Sequence, residues 1–281
     1  MVTREFDGVT CCVRWRRESG PILWLSPASF SLSDGRPDSN DVCQRLHTAI
    51  LTESQAVAAR HGGLPRVVLM SGHPELDTQR RTLAACGFVP EAMVVEFRRD
   101  AGCPVPLADE KMSVSEWHLD SSCFRQSDAF ERELIEPLQR ILDSTPPIAG
   151  LPRPHASELV VEWTDPELVC VALRNAGNCI GLAVGMPVPA GPRRTCSGFG
   201  TAIERPHMDI RFFGVVPEFR RRGAARHLLC AMSSLAPTDG ARFDRDRVGM
   251  SAWCDSSNAA AVGFYTRCGF VQVSSAELWV G

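Results

Sequence analysis

The stretch VVPEFRRRGAARHLL, residues 215–229, sets Arg220, Arg221, Arg222 and Arg226 around the small residues Gly223, Ala224 and Ala225. An apolar run that reads as a strand, MDIRFFGVV (208–216), leads into it, and an apolar run that reads as a helix, from near Arg222 to about Ser233, leads out. A strand that turns directly into a helix leaves the first helical N–H groups without partners, and the helix dipole adds positive potential there. Small side chains let a bulky group approach that backbone, and guanidinium groups suit phosphate oxygens. The stretch therefore predicts a phosphate or pyrophosphate site. Taken alone it could equally be a basic, solvated helix start.

The rest of the chain narrows the choice. A formal charge of −3 over 281 residues argues against a general nucleic-acid or membrane surface as partner. Hydrophobic content of 44% and charged content of 22% suit a globular protein with a sizeable core. Every basic residue except Lys111 is arginine, which hints at a GC-rich source. The 12 cysteines show no CxxC pair and no zinc spacing, and most sit in apolar runs, as free thiols in a reducing compartment do. The opening MVTREFDGVT does not read as a signal peptide, and no apolar run approaches the ~18 residues of a membrane span. The expectation is a cytoplasmic protein, monomer or homodimer, with no metal.

Two Pro/Gly-rich breaks organise the chain: AGCPVPLADEK (101–111), after the strand-like AMVVEFRR (92–99), and STPPIAGLPRP (144–154), after a helical run over 126–143. In that helix Phe130, Leu134, Leu138 and Ile141 mark one buried face. The expected division is residues 1–100, a linker at 101–112, and a larger domain over 113–281. VCVALRNAGNCIGLAVG (169–185) reads as a hairpin with a loop slightly longer than two residues, and SELVVEW (157–163) fits helix or strand. DRVGMSAWC (246–254) reads as a strand, NAAAVGFYTRCG (258–269) as a helix stopped by Gly269, and FVQVSSAELWV (270–280) as closing strand. The fold class is a mixed α/β sheet. A weak repeat sets LWLSPASF (23–30) against FGVVPEFR (213–220), and Cys86-Gly87-Phe88 against Cys268-Gly269-Phe270.

Val215-x-Pro217-x-x-Arg220-x-x-Gly223-x-Ala225 closely resembles the acetyl-coenzyme A pyrophosphate loop of the GNAT superfamily of N-acetyltransferases. Downstream, Asn258 followed by Phe264-Tyr265 and Gly269-Phe270 resembles that family's second signature. The resemblance covers about residues 112–281, and the first hundred residues resemble a partial, degenerate copy of the same fold. It implies acetyl-CoA as cosubstrate and a small-molecule amine as acceptor. It implies a sheet whose fourth and fifth strands splay, with pantetheine along the backbone of Phe213 and Val215 and a bulge near Val215. The diphosphate would lie on the amides of Arg221 to Ala225. Val216, Arg220, Arg222, Gly223, Ala224 and Phe264 complete the expected coenzyme site, and Asn258 would contact the pantetheine arm or fix its loop.

Tyr265, the only tyrosine, falls at the family's acid position, where it would protonate the departing sulfur. Alternation along MDIRFFGV (208–215) places Asp209, Arg211, Phe213 and Val215 on one face. Asp209 is then a candidate base or cation-attracting group, unless it pairs with Arg211 or Arg205. Glu204 and His207 are its neighbours in that role. A backbone N–H near Val215 or Val216 would meet the oxyanion, and Cys254 is a possible acyl-carrying nucleophile. In the first copy Leu83 stands where Tyr265 does, and leucine cannot donate a proton. That half would pack against the active domain and wall the acceptor pocket, as in tandem acetyltransferases. Asp128, Glu131 and Glu133 mildly favour a cationic acceptor. A non-catalytic coenzyme-binding module, or an enzyme of the same fold using another acyl group or decarboxylation, is the alternative.

Overall fold

A computed structural model describes residues 2–6, 9–16, 20–24, 51–52, 56, 66–72, 76–100, 117–120, 128–146, 153–163, 168–188, 207–234 and 249–281. In chain order the elements are β1 (Val2–Phe6), β2 (Val9–Arg16), β3 (Gly20–Trp24), β4 (Arg66–Met70), α1 (Leu76–Ala85), β5 (Val89–Arg99), β6 (Trp117–Asp120), α2 (Asp128–Asp143) and α3 (Ala156–Glu162). Then come β7 (Val169–Asn175), β8 (Asn178–Val188), β9 (His207–Val215), a 3₁₀ turn (Pro217–Phe219), α4 (Ala224–Ser234), β10 (Gly249–Asp255), α5 (Ala259–Arg267) and β11 (Val271–Val280). The ambiguous SELVVEW falls in helix α3 and the turn after it. The expected linker at 101–112 lies outside the described residues.

Among the described residues eleven strands form one sheet in the order β1-β2-β3-β4-β11-β5-β10-β9-β8-β7-β6. Strands β7 and β8 are buried on both faces, which is why they read as continuous apolar runs. On one face Leu134 and Leu138 of α2 and Leu159, Val160 and Trp163 of and after α3 pack over Cys170, Ala172, Leu182 and Val184. On the other, Leu228 and Met232 of α4 and Tyr265 of α5 pack with Val171, Leu173 and Ala183. Each fully buried leucine contributes about 1.5–3 kcal/mol by leaving water. The β7–β8 hairpin closes through Ala176 and Gly177, at φ 47 and 82. The loop is therefore a two-residue turn of primed type, shorter than the sequence suggested.

The centre of the sheet is interleaved. Strand β5, from the first hundred residues, lies between β10 and β11, and β11, the last strand, lies between β4 and β5. The β5–β11 ladder reads the same in both directions. Val94 opposes Ala276 at its centre. Val95–Ser275 is mirrored by Met93–Glu277, Glu96–Ser274 by Ala92–Leu278, Phe97–Gln272 by Pro90–Trp279, and Arg98–Val271 by Val89–Val280. Even the irregularities correspond: Val273 is skipped on one strand and Glu91 on the other. Outside the ladder, Ser256 N donates to Met93 O and Ser71 N to Ser275 O, both at 2.8 Å.

The helices that feed these strands end alike. Phe270 N donates to Tyr265 O and Phe88 N to Leu83 O, both at 3.0 Å, around Gly269 and Gly87 at φ 81 and 82. These are Schellman-type stops that need a left-handed residue, and glycine supplies it without strain. The weak sequence repeat at Cys-Gly-Phe thus coincides with equivalent turns on either side of a local two-fold axis.

Candidate functional site

Strands β9 and β10 run parallel and pair from His207–Gly249 only as far as Ile210–Ala252. Beyond that pair the two strands part, leaving Arg211 to Val215 without a β10 partner. Strand β9 continues on β8, where Val216 N donates to Ile180 O at 3.0 Å. Backbone bonds in an antiparallel pair alternate in direction along the strand. The N–H and C=O groups of Phe213 and Val215 therefore point away from β8, into the opening. Val216 N–H is already used, so of the two expected oxyanion donors only Val215 remains.

The bulge expected near Val215 occurs at Arg211, where β9 contributes one more residue than Val184 and Gly185 oppose. It reverses the alternation. A Cβ on Gly185 would meet Met208 and Met232, and one on Gly181 would meet Val215 and Leu228. Met208 and Val215 thus both face α4 although they stand seven positions apart, a step that strict alternation would place on opposite faces. Asp209 lies on the opposite face from Phe213 and Val215, not on the same one as simple alternation required.

After β9 the chain makes the 3₁₀ turn, with Pro217 at its start, and a second turn before α4 begins at Ala224, two residues later than expected. Arg221 and Gly223 sit at φ 60 and 84. Alternation between left-handed and other conformations gathers successive amides into a concave nest. Arg220 N bonds Pro217 O and Arg226 N bonds Gly223 O. Between them the amides of Arg221, Arg222, Gly223, Ala224 and Ala225 have no backbone acceptor among the described residues. The arginine side chains are used differently than charge alone suggested. Arg220 Nε bonds Val215 O at 2.9 Å and its Nη1 bonds Ser144 O at 3.2 Å, which ties the loop to the end of α2. Arg222 lies over the Phe219 ring at 5.5 Å.

Asn258 caps α5, its Oδ1 accepting from Ala261 N at 3.1 Å. Phe264 stacks on Phe213 at 5.3 Å and so links α5 to the free part of β9. The Tyr265 ring is buried among Phe97, Phe264 and Phe270, with centroids 5.6, 5.6 and 5.1 Å away. Burial raises its phenol, and the nearby Cys254 and Cys268 add to the shift. The hydroxyl therefore keeps its proton across the physiological range. Burial also pushes the Cys254 thiol up to about 11, which leaves little thiolate for a nucleophile.

Asp209 is buried in the last paired part of β9. Ser251 Oγ donates to its Oδ1 at 3.1 Å, and Arg211 Nη2 lies 2.9 Å from its Oδ2. Its pairing with Arg211 was the structural alternative at the sequence level; Ser251, in the neighbouring strand, was not foreseen. His207 opens β9, paired with Gly249 and Val188. Glu204 and Arg205 lie outside the described residues, as do the side chains of Asp128 and Glu131. Glu133 is engaged by Arg174 at 2.8 and 3.1 Å and is not a free attractor of cations. Among the described residues no group of three His, Cys, Asp or Glu could hold a metal ion, and no helix is long and apolar enough to cross a membrane.

The family model of the acetyltransferase (GNAT) family matches residues 135–270, a span that holds the opened strand pair, the amide nest and Tyr265. None of the curated proteins matches the chain. Among solved structures, a GCN5-related N-acetyltransferase from Sphaerobacter thermophilus matches with a TM-score of 0.62 at 14% identity, over 98% of this chain and 76% of that one. A tandem GNAT protein from the clavulanic acid biosynthesis pathway matches with a TM-score of 0.60 at 13% identity, over 97% and 78%. A conserved protein of unknown function from Staphylococcus epidermidis matches at 0.59 and 9%, over 99% and 93%. At these identities the likeness is one of fold, and it extends over the first hundred residues as well as the rest.

Proposed function

From the match of residues 135–270 to the GNAT acetyltransferase family model, we propose that the chain is an acetyl-CoA-dependent N-acetyltransferase of a small primary amine. The observation that carries the reading is the opening beyond Ile210–Ala252, which leads along the outward backbone of Phe213 and Val215 to the unpaired amides of Arg221–Ala225. Those groups fit a pantetheine arm and a diphosphate in turn. When bound, acetyl-CoA supplies a thioester carbon open to attack.

The chain's own residues divide the remaining work between the two faces of the sheet. Tyr265, with Cys254 and Phe97, lies on the α5 side, where its Oη–H can give a proton to sulfur. Asp209 and Ser251 lie on the other side, at the end of the paired region. The Asp209 carboxylate, held by Ser251 and Arg211, draws in an ammonium and takes up its proton. Val215 N–H points into the opening, where a donor aimed at developing negative charge contributes about 3 kcal/mol. Arg220, bonded to the Val215 carbonyl and to Ser144, holds strand end and nest in fixed relation.

Incubation with acetyl-CoA and pooled primary amines, followed by free thiol release, tests this reading. Amine-dependent thiol release is expected. Coenzyme A binding without release for any amine would instead indicate a non-catalytic module. Thiol release or decarboxylation with malonyl-CoA alone would indicate a different acyl chemistry on the same site.

A further inference from the structure

Val216 and Ala224, at the two ends of the amide nest, are each 1% exposed, and no residue between them is buried. The core therefore fixes the ends of this loop and not its middle. The middle is held against resistance. The amides of Arg221–Ala225 have no backbone acceptor, and gathering such groups together sets like dipoles side by side. Arg221 stands at φ 60 as a non-glycine residue, which is unfavourable in its own right. A nest that keeps this shape before a ligand arrives needs support from outside itself.

That support comes from one place. Among the described residues, the side chains of 217–223 make polar contacts beyond the adjoining strand at two points, both at the end of α2. Arg220 Nη1 donates to Ser144 O at 3.2 Å and its Nη2 to Ser144 Oγ at 2.5 Å. Arg140 Nη2 donates to Glu218 Oε1 at 2.5 Å. The strand before the loop meets the same turn of helix: a Cβ on Gly214 would overlap Cγ2 of Ile141, which is 2% exposed and cannot swing into water. Only glycine permits that approach. The turn is anchored in its own right. Gln139 Oε1 accepts from Ala156 N, the first residue of α3, at 2.9 Å, and Arg153 Nη2 donates to Thr145 O at 3.2 Å.

We infer that the end of α2 braces the nest, and that Arg140 and Ser144 are positioning residues for the coenzyme's diphosphate. Each acts through a loop side chain, Arg140 through Glu218 and Ser144 through Arg220. By holding the two, they keep the amides of Arg221–Ala225 gathered before binding, so that the diphosphate does not have to order them. The inference rests on the acyltransferase reading.

The test compares coenzyme A with pantetheine, which lacks the diphosphate, by calorimetry. Arg140→Gln, Glu218→Gln and Ser144→Ala should each weaken coenzyme A binding about three-fold, within the range of an exposed polar pair, and leave pantetheine binding unchanged. The Arg140→Gln/Glu218→Gln double variant should bind no more weakly than either single one, and Ser144→Thr, which keeps the hydroxyl, should restore the affinity. In turnover the loss should fall on the KM for acetyl-CoA and not on kcat. Equal losses for coenzyme A and pantetheine would mean general loosening and overturn the inference. A loss in Arg140→Gln without one in Glu218→Gln would put Arg140 on the ligand itself and overturn it too, as would unchanged affinity in all three. If coenzyme A does not bind the unsubstituted protein, the acyltransferase reading fails. Hydrogen exchange over residues 216–229 of the unliganded protein then judges the brace by itself: faster exchange in Arg140→Gln and Ser144→Ala supports it, and unchanged exchange overturns it.

Discussion

Tyr265 is the proton donor of the proposed reaction, and its surroundings define what it can do. A ring enclosed by Phe97, Phe264 and Phe270 has one position, so its hydroxyl is presented without a search among rotamers. Tyr265→Phe keeps the packing and removes the proton. It should lower kcat about 100-fold, the lower end of general-acid effects, while calorimetry finds coenzyme A affinity unchanged. The same residue shapes stability at high pH. Its phenol is raised by burial, so its contribution is complete below the unfolded value near ~10 and is lost as pH rises toward the folded one. Glu277 has the opposite sign. Hydrogen bonding from Arg80 holds it below its ordinary value, so its contribution is present above ~4.3 and is lost as pH falls through the lowered one. Urea midpoints should decline at both extremes, and Tyr265→Phe should flatten the alkaline decline alone. The place of Tyr265 in α5 could be read from the sequence because Gly269-Phe270 fixes its register. The engagement of Asp209 could not, since Ser251 stands 42 residues away in the chain and meets it only through the parallel pairing.

At the scale of the element, the loop from Val216 to Ala225 was readable in outline and misread in its details. Arg220-x-x-Gly223-x-Ala225 located the nest, because only a residue tolerant of positive φ can stand at 223. Charge alone, however, assigned the arginines to the ligand, whereas Arg220 reaches Val215 and Ser144. Its partner Ser144 follows α2, and no local pattern connects the two. The bulge at Arg211 was placed too late for a similar reason: it is set by the register against Val184 and Gly185, not by β9 itself. Gly223→Ala should weaken coenzyme A binding by about ten-fold in calorimetry, since φ 84 costs a side chain of order 1–2 kcal/mol. Arg220→Ala should also weaken it, though the guanidinium faces the protein, because the nest then moves relative to the end of α2. Arg221→Gly should raise the urea midpoint slightly, by relieving a left-handed non-glycine residue.

Across the whole molecule, the mixed α/β class was legible from the order of apolar runs, and the repeat from Cys-Gly-Phe. The interleaving was not. Nothing in AMVVEFRR or FVQVSSAELWV states which neighbour each strand takes, because both are apolar enough to sit anywhere in a buried sheet. Residues 113–281 produced alone would leave β10 with an unpaired edge where β5 belongs and β11 without either neighbour, since β4 and β5 both lie in the first hundred residues. Exposed central edges of this kind aggregate. That fragment should be insoluble or lack cooperative unfolding, and co-production with residues 1–100 should restore a soluble complex, as seen by size-exclusion chromatography. Soluble, cooperatively unfolding 113–281 on its own would contradict this account.

The ladder centred on Val94 and Ala276 has a historical consequence. Two identical subunits that lend each other their final strands make an isologous contact, and fusing the genes end to end would leave the pattern found here. One duplicate could then shed its counterparts of the Gly223 nest and of Tyr265 without leaving the fold, because its closing strand remained indispensable to the sibling that kept them.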